Sequence, residues 1–264
     1  MAKMYQEVYP FTTEMISGYF EEIDFKDKTV LTVGSSLDQA YNALLLGAKK
    51  IVVYDINENV IKFGKLKRDL ILSTPREDLY DKVLSQEEIP FAKDVLNKQL
   101  VYKANPYLRD EESYQKLRRL LEDDSKINYI TGDLTQVNNL EGQLFDIIIT
   151  SNVFQNIACF IGDDNPYLKL KEIFELLKEH ITEEAIIQLL YIYSFNSKDL
   201  EDSNEIDNTL RNIKKIYEAL KTRNLYVLTF EGIADKKDAV LTYQKTRRWN
   251  NERYYCNCRT NWYW

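Results

Sequence analysis

Glycine and proline are scarce in this 264-residue chain, at 8 and 5 residues, which excludes collagen-like and linker-rich architectures. Cysteine is scarcer still: three are present, Cys159, Cys256 and Cys258. An odd count without an export signal argues against a disulfide framework. Cys256 and Cys258 form a lone C-x-C, half of what a tetrahedral zinc site needs, so free thiols and no metal are expected. One histidine, His180, is present, so a Ser-His-Asp or Cys-His mechanism has a single residue to use, and hydrolase readings are weak. His180 follows an amphipathic segment, Tyr167 to Glu179, and a helix C-terminus suits its partial positive charge. Excess positive charge is also missing. Lys+Arg number 35 against 42 Asp+Glu, a net charge of −7, which disfavours a broadly basic nucleic-acid binder. The longest apolar runs, such as Ala185 to Tyr193, fall short of the roughly 18 residues of a membrane helix. Met1 to Pro10 has no apolar core of signal-peptide length. The expectation is a cytoplasmic protein without a membrane span.

Hydrophobic residues make up 44% and charged residues 29%, enough to bury a sizeable core. Apolar strands alternate with amphipathic helices, which predicts a parallel sheet covered on both faces. Thr12 to Ile23 reads as an opening helix capped by Thr12 or Thr13, within a lead-in over residues 1–26. Strands are predicted at Thr29–Val33, Ile51–Tyr54, Ile127–Ile130, Phe145–Thr150 and Ala185–Tyr191. Helices are predicted at Asp38–Leu46, Glu58–Leu72, Tyr167–Glu179 and Ile206–Leu220. Leu225–Phe230 and Ala239–Tyr243 then close as an antiparallel hairpin. The fold expected over 27–245 is α/β, Rossmann-like and doubly wound, with a mostly parallel seven-stranded sheet and an antiparallel C-terminal hairpin. An insert at about 74–125 is broken by Pro75, Pro90 and Pro106 and is helical over Ser113–Leu121. It either lies over the ligand-binding edge or packs passively.

Ligands of open parallel sheets bind beyond the carboxyl ends of the strands, where strand order reverses. Three features fall there. The turn after strand one carries Gly34, Ser35, Ser36, Asp38 and Gln39. Gly34 lets backbone approach a ligand, and Asp38 either caps the helix or holds a ligand ammonium. Asp55 ends strand two, followed by Ile56 and Asn57, about 20 residues past Gly34. At that spacing an acid meets a ribose diol; the plain alternative is a solvated helix cap. Gly132, Asp133 and Leu134 follow strand three. There an acid can accept from an adenine amino group, the next N–H can donate to a ring nitrogen, and Gly132 leaves room for the base. The alternative is a simple loop acid.

The order G-S-S-L-D, D-I-N, G-D-L and F-D-I-I-I-T-S-N resembles the class I S-adenosylmethionine-dependent methyltransferases over most of Asp27 to Lys245. The resemblance implies S-adenosylmethionine as cofactor. Gly34 would lie at its methionine part, Asp55 at ribose and Asp133 at adenine, with Ser151 and Asn152 facing the transferred group beside a small-molecule acceptor. The chain departs from the family's acid-x-G-x-G-x-G turn: Thr32, Ser36 and Asp38 stand at the acid, second and third glycine positions. Asp38 takes over the missing acid's contact with the methionine amino group on this reading. The V-L-T-V-G-S-S-x-D-Q-A version resembles a branch related to betaine lipid synthase, which implies 3-amino-3-carboxypropyl transfer as the alternative to methyl transfer. A dinucleotide pyrophosphate fits poorly, because Leu37 and Asp38 crowd the helix start and Asp38 would repel phosphate.

Transfer from an activated sulfonium needs mainly alignment, which fits one histidine. Asn152, Tyr191 and Tyr9, with Tyr5, are candidate polar groups at the transfer site, although any one of 19 tyrosines is more simply a packing residue. A degenerate glycine turn also fits a protein that binds the cofactor and catalyses nothing. The tail over 246–264 interleaves arginines with Trp249, Tyr254, Tyr255, Trp262, Tyr263 and Trp264, which suits packing or homo-oligomerisation better than nucleic acid in so acidic a chain.

Overall fold

The fold is that of a computed structural model, which describes residues 6–93, 95–137, 139–151, 153–154, 166–195, 213–222, 224–233 and 236–246. Tyr5, Asn152, all three cysteines, residues 206–212 of the predicted last helix and the tail beyond residue 246 lie outside the described residues.

Seven strands form one sheet: β1 (Thr29–Val33), β2 (Lys50–Asp55), β3 (Ile127–Thr131), β4 (Phe145–Ile149), β5 (Ile181–Ile192), β6 (Leu225–Glu231) and β7 (Lys237–Gln244). Their order is β3-β2-β1-β4-β5-β7-β6. The first five run parallel, whereas β7 pairs antiparallel with both β5 and β6. This is the expected Rossmann-like arrangement, and the order reverses between β1 and β4. Alternation divides the strand residues between two faces. Val30, Ile51, Val53, Ile147 and Ile149 enter one core, and Leu31, Val52, Tyr54 and Ile148 the other.

Helices α1 (Asp38–Leu45) and α2 (Glu58–Ser73) cover the first face. Helices α7 (Pro166–Lys178) and α8 (Ile213–Leu220) cover the second. The insert forms α3 (Leu79–Leu84), α4 (Lys98–Ala104), α5 (Pro106–Arg109) and α6 (Glu111–Leu121). Every residue of α1 is buried, since α5 and α6 close over its outer side. Tyr114 of α6 donates to the carbonyls of Ile71 (3.1 Å) and Thr74 (2.9 Å), tying the insert to the end of α2. The insert thus packs over the outer side of α1 and reaches the site through a buried link described below. His180 keeps the structural place expected of it, just beyond α7, with Nδ1 3.2 Å from the Gln143 carbonyl. No helix among the described residues is long and apolar enough to cross a membrane.

The predicted opening helix does not form. Two short 3-10 turns, Ile16–Gly18 and Phe20–Glu22, stand in its place. The segment before them is an extended strap whose backbone donors are taken by distant acceptors. Val8 N donates to Pro90 O (2.9 Å), Thr12 N to Asp38 Oδ2 (2.6 Å) and Met15 N to Tyr191 Oη (2.9 Å). An N–H used this way cannot close an i→i−4 ladder. Thr12 Oγ1 still accepts from Glu14 N at 3.0 Å, as a turn rather than as a cap.

Candidate functional site

The turn between β1 and α1 is built from unusual backbone. Ser35 (φ 43°) and Leu37 (φ 67°) are left-handed, and so is Ser151 (φ 50°) just after β4. Such conformations cost side-chain-bearing residues energy and cluster at functional turns. Leu37 is the residue before α1 and makes no side-chain cap, so Asp38 is the first helical residue and not the cap. Gly34 serves the chain itself. A Cβ there would meet Val60 Cγ1 at 2.3 Å and Asp55 Oδ2 at 3.0 Å, so the missing side chain admits α2 and the Asp55 carboxylate. Gly132 is likewise filled by protein: a Cβ would lie 2.3 Å from the Tyr54 hydroxyl, and that ring occupies the room expected for a base.

The largest correction concerns Asp38. It is fully buried, and both carboxylate oxygens are engaged. Oδ1 accepts from Lys67 Nζ (2.7 Å) and Tyr107 Oη (2.8 Å), and Oδ2 from Thr12 N. Lys67 also donates to the carbonyls of Pro10 and Ser36, each at 2.8 Å, and lies 4.3 Å from the centroid of the Phe11 ring. All three ammonium protons are therefore satisfied. Burial lowers the Lys67 pKa, and the Asp38 charge opposes that shift. The acid expected to hold a ligand ammonium already holds one of the chain's own. Lys67 left a trace in the sequence, since it interrupts the core-facing series Val60, Phe63, Leu70, Ile71 of α2.

Asp55 ends β2 on the same rim. Its Oδ2 accepts from Ser35 N (3.2 Å) and its Oδ1 from Asn57 N (2.8 Å), so the carboxylate clasps the β1 turn while remaining half-buried. Desolvation raises its pKa against those backbone donors. Ile56 beside it is 50% exposed, an apolar face open at the crevice. Asn57 caps α2 through Asn59 N (2.9 Å) and donates from Nδ2 to the Glu7 carbonyl (3.1 Å), which brings the strap carrying Tyr9 past the end of β2. Tyr9 is 41% exposed there. Asp133 is half-buried one strand away, accepting from Thr135 N (2.8 Å) and Gln136 Nε2 (3.3 Å), with Leu134 turned into the second core.

Ser151 closes the rim at β4. It is 6% exposed, donates from Oγ to Glu14, and donates from N to Gln188 Oε1 (3.2 Å). Glu14 accepts in addition from Tyr19 Oη (2.9 Å) and Gln39 Nε2 (3.2 Å). Burial raises its pKa, with Asp238 adding to the shift and these donors opposing it. Tyr191 has its hydroxyl engaged by protein groups. It is buried, donates to Asp238 Oδ2 (2.6 Å) and accepts from Met15 N, and burial drives its pKa far up. Glu14, Lys67, Tyr107, Gln188 and Asp238 escaped the sequence reading, because each meets its partner across the fold rather than within a motif.

The chain is similar over its length to solved methyltransferase structures. A provisionally assigned S-adenosylmethionine-dependent methyltransferase of Listeria monocytogenes matches at 12% identity and TM-score 0.45, covering 85% of this chain and 94% of that one. A methyltransferase of Pyrococcus furiosus matches at 10% and 0.42 over 86% and 79%. The N-methyltransferase NodS of Bradyrhizobium japonicum, crystallised with S-adenosyl-L-homocysteine, matches at 9% and 0.40 over 83% and 78%. No family model and no curated protein matches.

Proposed function

We propose that this chain binds S-adenosylmethionine across the C-terminal ends of β1, β2 and β3 and transfers its methyl group to a small-molecule acceptor. One observation carries the reading. Two half-buried carboxylates, Asp55 and Asp133, flank the exposed Ile56 at the rim where strand order reverses. A carboxylate has about four acceptor sites. Asp55 accepts from Asn57 N and Ser35 N, with the Gly34 and Ile56 N–H groups also turned to it, and its two oxygens suit the adjacent hydroxyls of a ribose. Ile56 offers an apolar surface to a base, while Asp133 accepts from its amino group and the Leu134 N–H donates to its ring.

The residues fit the nucleoside half of the cofactor. Asp38 does not serve the amino-acid half, since Lys67 satisfies that carboxylate. The cofactor brings an already activated electrophile, so the protein's task is to orient donor and acceptor and to exclude water. Ser151 and Asn152 follow the strand that faces the transferred group. Tyr9 is the exposed polar aromatic of the strap.

A crystal grown with S-adenosylhomocysteine is expected to show its ribose on Asp55 and its adenine against Ile56. A nucleoside bound elsewhere would defeat the proposal. Turnover with S-adenosylmethionine and small amines or alcohols is expected to release S-adenosylhomocysteine. Release of 5′-methylthioadenosine would mean aminocarboxypropyl transfer, and no product with any acceptor would mean a binding protein.

A further inference from the structure

Four buried polar side chains at the β4 end of the crevice are incompletely paired among themselves. Glu14, Gln39, Ser151 and Gln188 are 1%, 1%, 6% and 0% exposed. Their hydrogen bonds fix which way each amide points. Gln39 presents Nε2 to the Glu14 carboxylate, so its Oε1 faces away. Gln188 presents Oε1 to Ser151 N, so its Nε2 faces away. Among the described residues, neither Gln39 Oε1 nor Gln188 Nε2 has a partner. An orphaned buried amide atom is costly to a fold, and two in one network mark a place that something else completes. The sheet also departs from regular pairing here, with the β5–β7 register shifting between Gln188 and Leu190.

The unmet groups are an acceptor beside a carboxylate and a donor beside a serine. Together they describe a ligand that is cationic and donating at one end and anionic and accepting at the other. We propose that Glu14, Gln39 and Gln188 bind the amino-acid end of S-adenosylmethionine: the ammonium on Glu14 and Gln39 Oε1, the carboxylate on Gln188 Nε2, with Ser151 positioning Glu14 through its hydroxyl and Gln188 through its N–H. This assignment rests on the proposed function above, and supplies the ammonium site that Asp38 cannot. Gln39 opens α1 and Ser151 follows β4, so the cluster adjoins the turn whose Ser35 N–H is held by Asp55. An amino-acid end here and a ribose on Asp55 therefore belong to one extended ligand. Asp238, Tyr19 and Tyr191 also face Glu14, and none supplies a cation to it.

The test compares two ligands by isothermal titration calorimetry. S-adenosylhomocysteine carries the amino-acid end, and 5′-methylthioadenosine keeps the nucleoside and sulfur without it. Glu14→Gln is expected to weaken S-adenosylhomocysteine about tenfold or more, as fits loss of a charge-assisted contact, and to leave 5′-methylthioadenosine within about twofold. Gln39→Met and Gln188→Met, which remove the orphaned atoms and keep the volume, are expected to show the same selectivity. They keep the proposal testable if Glu14→Gln does not fold. Asp55→Asn is expected to weaken both ligands. Equal affinity of wild type and all three cluster variants for S-adenosylhomocysteine would overturn the assignment while Asp55→Asn still supports the nucleoside site. Failure of wild type to bind either ligand would instead overturn the proposed function. A cluster variant that loses both ligands equally while keeping its melting temperature would also count against the assignment.

Discussion

At the scale of single residues, the site is governed by one buried ion pair. Lys67 and Asp38 are both fully inaccessible and 2.7 Å apart. Two charges removed from water hold together only while each satisfies the other, so deleting one leaves the other costly. Lys67→Met is expected to destabilise the fold by about 3–5 kcal/mol in urea denaturation, and Lys67→Met with Asp38→Asn to recover part of that loss. Equal stability of wild type and Lys67→Met would mean that the pair does not organise the turn. Glu14 gives a second readout, through pH. Its folded pKa is raised above the ordinary 4.5, so the folded state holds more protons than the unfolded one as pH rises from there. Its contribution to stability therefore falls with rising pH until the folded carboxyl has ionised. Glu14→Gln lacks that loss. Its stability relative to wild type is expected to increase as pH rises from about 4.5 toward neutrality. A difference that stays flat would show that Glu14 is not desolvated. The sequence exposed Asp38 as the acid of the turn but not its occupancy, because Lys67 and Tyr107 lie 29 and 69 residues away.

At the scale of elements, strands and most helices were legible, and the strap was not. β1 matches its expected range, and α2 and α6 agree within a residue or two, because buried parallel strands read as apolar runs and helices as 3.6-residue stripes. Thr12 to Ile23 has helical spacing too, yet its Thr12 and Met15 N–H groups go to acceptors 26 and 176 residues distant. No local pattern encodes those partners. Binding at the rim involves the strap through Glu14, so S-adenosylhomocysteine is expected to slow amide hydrogen exchange over residues 8–19 about tenfold or more. Unchanged exchange there, with binding demonstrated, would separate the strap from the site. Gly34 couples two elements: Gly34→Ala drives a methyl into Val60 and Asp55. It is expected to cost about 1–3 kcal/mol and to weaken nucleoside binding, because α2 and the Asp55 carboxylate must both retreat. Melting and titration of the purified variant measure both effects.

For the molecule as a whole, strand order and crossover layers bring segments near residues 14, 38, 55, 133, 151 and 188 to one rim. That topology was readable from the alternation of strand and helix, as was the antiparallel close by β6 and β7. The insert was left between two roles. It forms an outer layer over α1, and Tyr107 links it directly to Asp38. The central claim is that a nucleoside sits on Asp55 at the reversal of strand order. Calorimetric titration of S-adenosylhomocysteine into wild type and Asp55→Asn tests it most directly. Saturable binding to wild type, weakened about tenfold or more in an Asp55→Asn variant that remains folded at the temperature of the titration, is the expected result. Equal affinity in the two proteins, or none in wild type, would contradict it.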